Sequence, residues 1–148
     1  MKIIRSNNEY EFLIGEDALE LFDYYGVDEL HGLNRTDCIK RMEEGGTYID
    51  GMCNLIPHDY SRFYIFINLK ACDGSYKDIT LVQHECTHGG FTKYNHNPIY
   101  EEEIISWGEE LTNEIMPQIF REINIKRSKE KETYGNKFYT FTKTGLNI

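Results

Sequence analysis

The segment His84-Glu85-Cys86-Thr87-His88 lies in a stretch whose apolar residues have helical spacing. Residues four apart share one face of an α-helix, so His84 and His88 can present two imidazole nitrogens to one metal ion. Glu85 lies one position round the helix, beside the water that such a metal would bind. This HExxH pattern constrains the fold most, because it requires a helix with a third ligand brought beside it from another element.

Length and composition predict one folded domain over residues 1–148. Of the 148 residues, 40% are apolar, and the eight Phe and eleven Tyr can supply a substantial core. The formal net charge is −9, and no basic stripe of the kind that binds phosphates is present. A disordered chain and a nucleic-acid-binding protein are therefore the two classes that the composition argues against.

The first residues and the cysteine spacing predict a cytoplasmic protein whose cysteines are reduced. The first residues contain no apolar signal segment, and no apolar run approaches the roughly 18 residues of a membrane span. Neither CxxC nor zinc-ribbon spacing relates the four cysteines, which are Cys38, Cys53, Cys72 and Cys86. We expect free thiols, no membrane partner, and a small buried side chain at Cys86 rather than a metal ligand.

Apolar periodicity predicts an α+β fold. Helices are expected at 16–25, from Asn34 or Thr36 to Gly45-Gly46, from about Asp78 to His88, and from about Tyr100 to Met116. Gly89-Gly90 is expected to end the third of these helices, and Pro117 is expected to mark a break or kink in the fourth.

Strands are expected at Ile3-Ile4 on a sheet edge, and at 47–53 and 62–69, which form a hairpin. Residues 118–148 are expected to form a C-terminal extension, with a small hairpin or a strand near Tyr134 to Lys137.

A catalytic zinc needs a third protein ligand and leaves a fourth position for water. Four candidates follow the motif: His96 in an irregular stretch, and Glu101, Glu102 and Glu103 at the start of the next helix. At about 100° per residue, Glu101 falls on the apolar face that should pack on the motif helix. Glu102 points toward solvent and Glu103 lies at the edge of that face. We therefore rank Glu101 first as the third ligand, Glu103 second and His96 third.

Three segments resemble the ImmA/IrrE-type zinc metallopeptidases. Ile65-Phe66-Ile67-Asn68 is similar to the "IxIN" strand of that family, and residues 80–88, TLVQHECTH, are similar to its "TLxHExxH" helix. Residues 101–108, EEEIISWG, are similar to its "ExEAxxFA" pattern, and Met116-Pro117 follows as a similar pair often does there. The resemblance covers about residues 62–117 and identifies the chain as similar to divergent, minimal members of the family.

The resemblance implies a minimal zincin fold, in which a small β-sheet packs on the HExxH helix and on a following, ligand-bearing helix. It implies a gluzincin site with one Zn²⁺ per chain, held by His84, His88 and the first glutamate of the pattern, which is Glu101. It also implies that an extended peptide binds along the sheet edge beside the motif helix. So small a chain is typical of phage and mobile-element proteins, which suggests the cytoplasm of a bacterial or phage-infected cell.

The implied activity is hydrolysis of a peptide bond in one specific protein partner, either a regulator or an assembly target. Glu85 is expected to act as general base toward the metal-activated water and to carry the proton to the leaving amine. Tyr94, His96 and Tyr100 lie between the second histidine and the third ligand, and are candidates for oxyanion or substrate contacts.

Two other functions stay open. The chain can be a non-catalytic binding or structural protein that keeps a zincin fold inside a larger, for example viral, assembly, with zinc structural or absent. It can also be a metal-dependent hydrolase of non-peptide substrates that uses the same residues.

Overall fold

A four-stranded mixed sheet forms the centre of the fold in the computed structural model, which describes residues 1–45 and 49–134. Its strands are β1 (Lys2–Ser6), β2 (Tyr10–Gly15), β5 (Gly51–Ile56) and β6 (Asp59–Asn68). A separate two-stranded hairpin consists of β3 (Glu29–Leu30) and β4 (Leu33–Asn34). The order across the main sheet is β1-β2-β6-β5, so β1 and β5 are its edges.

The described part of the chain also contains four α-helices, α1 (Leu19–Tyr25), α2 (Arg35–Glu43), α3 (Tyr76–Lys93) and α4 (Glu101–Tyr134), and two short 3-10 helices, Leu69–Ala71 and Pro98–Tyr100. The expected α+β class is therefore confirmed. None of these helices combines the length with the apolar character that crossing a bilayer requires.

The alternating side chains of β6 place one apolar core on each face of the sheet. Phe63, Ile65 and Ile67 face a core that α3 and α4 cover, whereas Tyr64 and Phe66 face a core that α1, α2 and the β3–β4 hairpin cover. All five side chains are at most 4% exposed. Because each such side chain stabilises the fold by roughly 1.5–3 kcal/mol when buried, this strand anchors both layers.

The expected hairpin is confirmed as the antiparallel pair β5–β6, and Ile3-Ile4 lies in an edge strand, as expected. The first hairpin strand spans Gly51–Ile56, and the expected start at Thr47-Tyr48 lies outside the described residues. Just before this strand, the Asn68 side chain donates to the Ile49 carbonyl (2.9 Å), which ties the segment to the end of β6.

Helix α3 does not end at Gly89-Gly90, so the prediction that these glycines end the motif helix is wrong. Helix α3 continues to Lys93. A Cβ on Gly90 would lie 2.7 Å from the backbone oxygen of Ile104, and one on Gly89 would lie 2.8 Å from the Trp107 ring. The two glycines therefore allow α4 to approach α3 closely, and they do not serve as a cap.

Helix α4 also runs on through Pro117, where a break or kink is expected, so the helix does not break there. Proline removes one intrahelical hydrogen bond and crowds the preceding turn, which usually ends a helix. Here Ile115, Ile119 and Ile123 stay buried in one stripe on both sides of the proline, so packing on the core maintains the helix. The expected extension is helical as far as Tyr134, and the hairpin or strand expected near residues 134–137 lies largely outside the described residues.

Candidate metal centre

Helix α3 holds the motif between the sheet and solvent. Its first turn is fixed by the Ser75 side chain, which accepts from Lys77 N, and by Asp78, whose buried carboxylate accepts from Asp73 N and Gly74 N at 3.1 and 2.7 Å. Val82 and Cys86 are fully buried against the sheet, as expected for Cys86. The histidines of the motif consequently lie on the opposite, open side of the helix.

His84 and His88 form a close pair of imidazoles. Their Nε2 atoms are 3.2 Å apart, and the ring planes stand at 85° to each other. Two nitrogens bound at zinc distances of about 2.05 Å in a tetrahedral arrangement would be about 3.3 Å apart. The separation of the two nitrogens therefore matches that of two corners of a zinc tetrahedron.

The surroundings of His88 favour the neutral imidazole that a metal requires. Partial burial lowers the pKa of His88 below its ordinary value, and the nearby His84 and His96 rings lower it further. A shallow cavity of about 400 Å³ opens above the pair, lined by Thr80, Gln83, His84, Thr87, His88 and Phe91. This cavity is large enough for a short stretch of peptide rather than for a whole domain.

Glu85 is next to the pair in sequence, but its side chain turns toward the edge strand β5. It is 6% exposed and packs so tightly on Gly51 that a Cβ there would lie 2.7 Å from Glu85 Cγ. Burial raises the pKa of Glu85 to about 7, where a carboxylate can both take and return a proton near neutral pH. Glu85 does not line the cavity above the histidines.

Among the described residues, no third ligand is assembled beside the histidine pair. Within residues 1–45 and 49–134, no group of three His, Cys, Asp or Glu side chains is arranged to hold a metal ion. Glu101, Glu102 and Glu103 are all exposed in the first turn of α4. Glu101 as third ligand therefore stays a prediction.

The crossing of the two helices nevertheless limits where Glu101 can reach. Thr87 lies against Gly108, and Gly90 lies against Ile104, so α4 runs antiparallel to α3. Glu101 is one turn before Ile104, and hence at the level of the last turn of α3. This position is on the His88 side of the pair rather than the His84 side.

The three candidates for oxyanion or substrate contacts lie around the end of α3. His96, in a left-handed conformation (φ 55°), stacks on Phe91 with ring centroids 5.8 Å apart, so it touches the wall of the cavity. Tyr94 and Tyr100 pack on each other at 5.4 Å, and neither lines the cavity. His96 is thus the candidate that the fold brings nearest to the histidine pair.

Gly51 and the residues of the cavity wall were not predicted from the sequence. Thr80, Gln83, Thr87 and Phe91 share a helix face with the histidines, so helical periodicity contained the signal that would have found them. Gly51 gave no such signal, because its contact with Glu85 joins a strand to a helix more than thirty positions later in the chain. Comparison with known proteins adds no assignment, since no family model, curated protein or solved structure gives a significant match to this chain.

Proposed function

We propose that the chain is a zinc-dependent peptidase that cleaves one specific protein partner. The observation that carries this proposal is the 3.2 Å separation of His84 Nε2 and His88 Nε2, which suits two ligands of one tetrahedral zinc. Glu101 is the proposed third ligand, with Glu103 and His96 as the alternatives. Bound zinc would supply a Lewis acid and a water of lowered pKa at this position.

Residues of the chain are proposed to transfer the proton and to contact the substrate. Glu85 is the proposed general base, and its pKa of about 7 supports a role in which it takes a proton and later gives it to the leaving amine. His96, beside the cavity wall, is the first candidate for contact with the substrate carbonyl, ahead of Tyr94 and Tyr100.

The substrate is proposed to bind as an extended peptide along β5, by addition of a strand to the sheet. Two features support this choice. Strand β5 is an edge of the sheet, whereas the strand at 62–69 is central and has neighbours on both sides. Gly51 of β5 also touches Glu85, so a peptide on this edge would pass beside the proposed base. A regulator or an assembly protein in a bacterial or phage-infected cell is the proposed partner.

Metal content per chain tests the proposal, measured by mass spectrometry on protein purified without added metal. We expect about one zinc in the wild type, almost none in His84→Ala, and a partial loss in Glu101→Gln. His58→Ala is the matched control, because His58 is an exposed histidine in the β5–β6 turn and should leave zinc unchanged. Wild-type protein that stays free of zinc even after incubation with it would contradict the proposal.

A non-catalytic zincin-fold protein is the second candidate, and one observation favours it. The described residues bring together two metal ligands rather than three. An assembly protein needs only the fold and its surfaces, so its partner should bind equally well to wild type and to His84→Ala. A peptidase should instead lose cleavage, and keep zinc, when Glu85 is replaced by Gln.

A further inference from the structure

The free edge of β5 is shorter than the strand itself. Asp50 directs its carbonyl to β6, where it accepts from Asn68 N at 2.8 Å. Backbone groups of successive residues in an antiparallel pair point alternately toward and away from the partner strand. Gly51, Cys53 and Leu55 therefore direct their N–H and C=O groups outward, to the side where another strand can add.

Side chains already satisfy both backbone groups of Leu55. Its N–H donates to the Asn54 side-chain oxygen at 2.9 Å, and its carbonyl accepts from His31 Nε2 at 2.7 Å. Within the part of the chain that the structure describes, no side chain binds the outward backbone groups of Gly51 or Cys53. Among the described residues, the edge is thus open at its first two outward positions, Gly51 and Cys53, and closed at the third, Leu55.

His31 is held in this position by a tight turn. It lies at the tip of the β3–β4 hairpin, where His31 and Gly32 both have positive φ, 46° and 86°. A positive φ is unfavourable for a residue with a side chain, and such conformations persist only where the surroundings enforce them. Leu30, 1% exposed, anchors the hairpin in the core, and the His31 ring lies 6.2 Å from that of Tyr64.

We propose that His31 is a specificity-determining residue, which limits a peptide paired with β5 to the stretch opposite Gly51 and Cys53. This inference rests on the proposed function, because it takes β5 as the edge that receives the substrate. A peptide that continued past Cys53 would have to displace the imidazole from the Leu55 carbonyl. The substrate must therefore leave the sheet or turn at that point, which favours an extended segment bounded by a turn over a long strand.

The test measures how the Kd of a peptide depends on its length in three proteins. One has no substitution beyond the shared Glu85→Gln, and the other two add His31→Gly or His58→Gly. All three are full-length and carry Glu85→Gln, so that bound peptide is not consumed. Glycine suits the positive φ at both positions (46° and 69°), and His58→Gly is the matched control, because His58 lies in the turn just beyond the same end of β5. The probes are peptides selected from a random dodecapeptide display library for binding to the protein that carries Glu85→Gln alone. Each selected peptide is shortened to the smallest core that still binds. The core is then extended again by two residues at one end or at the other.

We expect extension at the peptide end that lies next to Leu55 to lower the Kd for His31→Gly by roughly 3- to 10-fold. This gain corresponds to about one backbone hydrogen bond, to the Leu55 carbonyl. The other two proteins should gain less than about 2-fold from the same extension. Binding of the core should also slow amide exchange at Gly51 and Cys53. Equal gains in all three proteins, no gain in any, or a selection that yields no binder would each overturn the role of His31.

These outcomes are separate from those that decide the proposed function. Zinc in the wild type without any length effect at His31 would overturn this inference and leave the metal centre standing. A length effect in a chain that holds no zinc would overturn the peptidase and retain His31 as a determinant of peptide binding.

Discussion

Burial of Glu85 against Gly51 links the protonation of one carboxyl group to the stability of the fold. Its pKa is about 7 in the folded chain, compared with 4.5 for a solvated glutamate. Below pH 4.5 the group is protonated in both the folded and the unfolded state. As pH rises from about 4.5 to 7, the unfolded chain ionises first, so the free energy of unfolding falls across that window.

Replacing Glu85 by Gln should remove, in metal-free protein, the loss of stability that ionisation of this buried carboxyl group causes. We expect the variant to match wild type near pH 4 and to exceed it at pH 8 by at most about 3 kcal/mol in the free energy of unfolding. Urea denaturation at both pH values, with a chelator present, measures the difference. The exposed Glu103→Gln is the control, and an equal gain at both pH values in Glu85→Gln would contradict the argument.

At the scale of the elements, the crossing of α3 and α4 depends on small residues at the contact. Alanine normally stabilises a helix interior by about 1 kcal/mol relative to glycine. At Gly90 the added Cβ would lie 2.7 Å from the Ile104 backbone oxygen, and a backbone atom in a helix moves only if the helices separate.

Gly90→Ala should therefore destabilise the protein by about 1–3 kcal/mol, the opposite sign to helix propensity. The free energy of unfolding from urea denaturation checks this. Ser106→Ala, on the exposed side of α4, is the control and should be neutral or slightly stabilising. A stabilised Gly90→Ala protein would show that the crossing tolerates separation.

The same elements show how far the sequence could predict the fold. The motif helix and β6 were predicted, because each has the periodicity of its class over many residues. Strand β2 was missed: Tyr10–Gly15 is buried throughout and pairs in parallel with β6, so its apolar run does not alternate.

The candidate site, too, could be predicted from the sequence only in part. The His84–His88 pair follows from helix geometry alone. The contact of Gly51 with Glu85 and the hydrogen bond of His31 to Leu55 join residues distant in sequence, and no local pattern encodes either of them.

For the whole molecule, zinc should act as a stabilising ligand if it binds the folded chain alone. At about 100 times its dissociation constant it would add about 2.7 kcal/mol, or roughly 8–10 °C in melting temperature for a domain of this size. Thermal melts with zinc and with a chelator measure the shift. His84→Ala should lose it and His58→Ala should keep it; a shift of the same size in His84→Ala would place the metal elsewhere.

The parallel pairing of β2 with β6 also governs how the chain can fold during its synthesis. Gly15 lies opposite Asn68, so the middle of the sheet joins segments roughly fifty residues apart. Until β6 emerges from the ribosome, β2 can pair only with β1, and Phe12, Leu13 and Ile14 lack both the second neighbouring strand and the core that β6 organises. A nascent chain that stalls before that point exposes an apolar strand edge, which is the feature that chaperones and aggregates both bind.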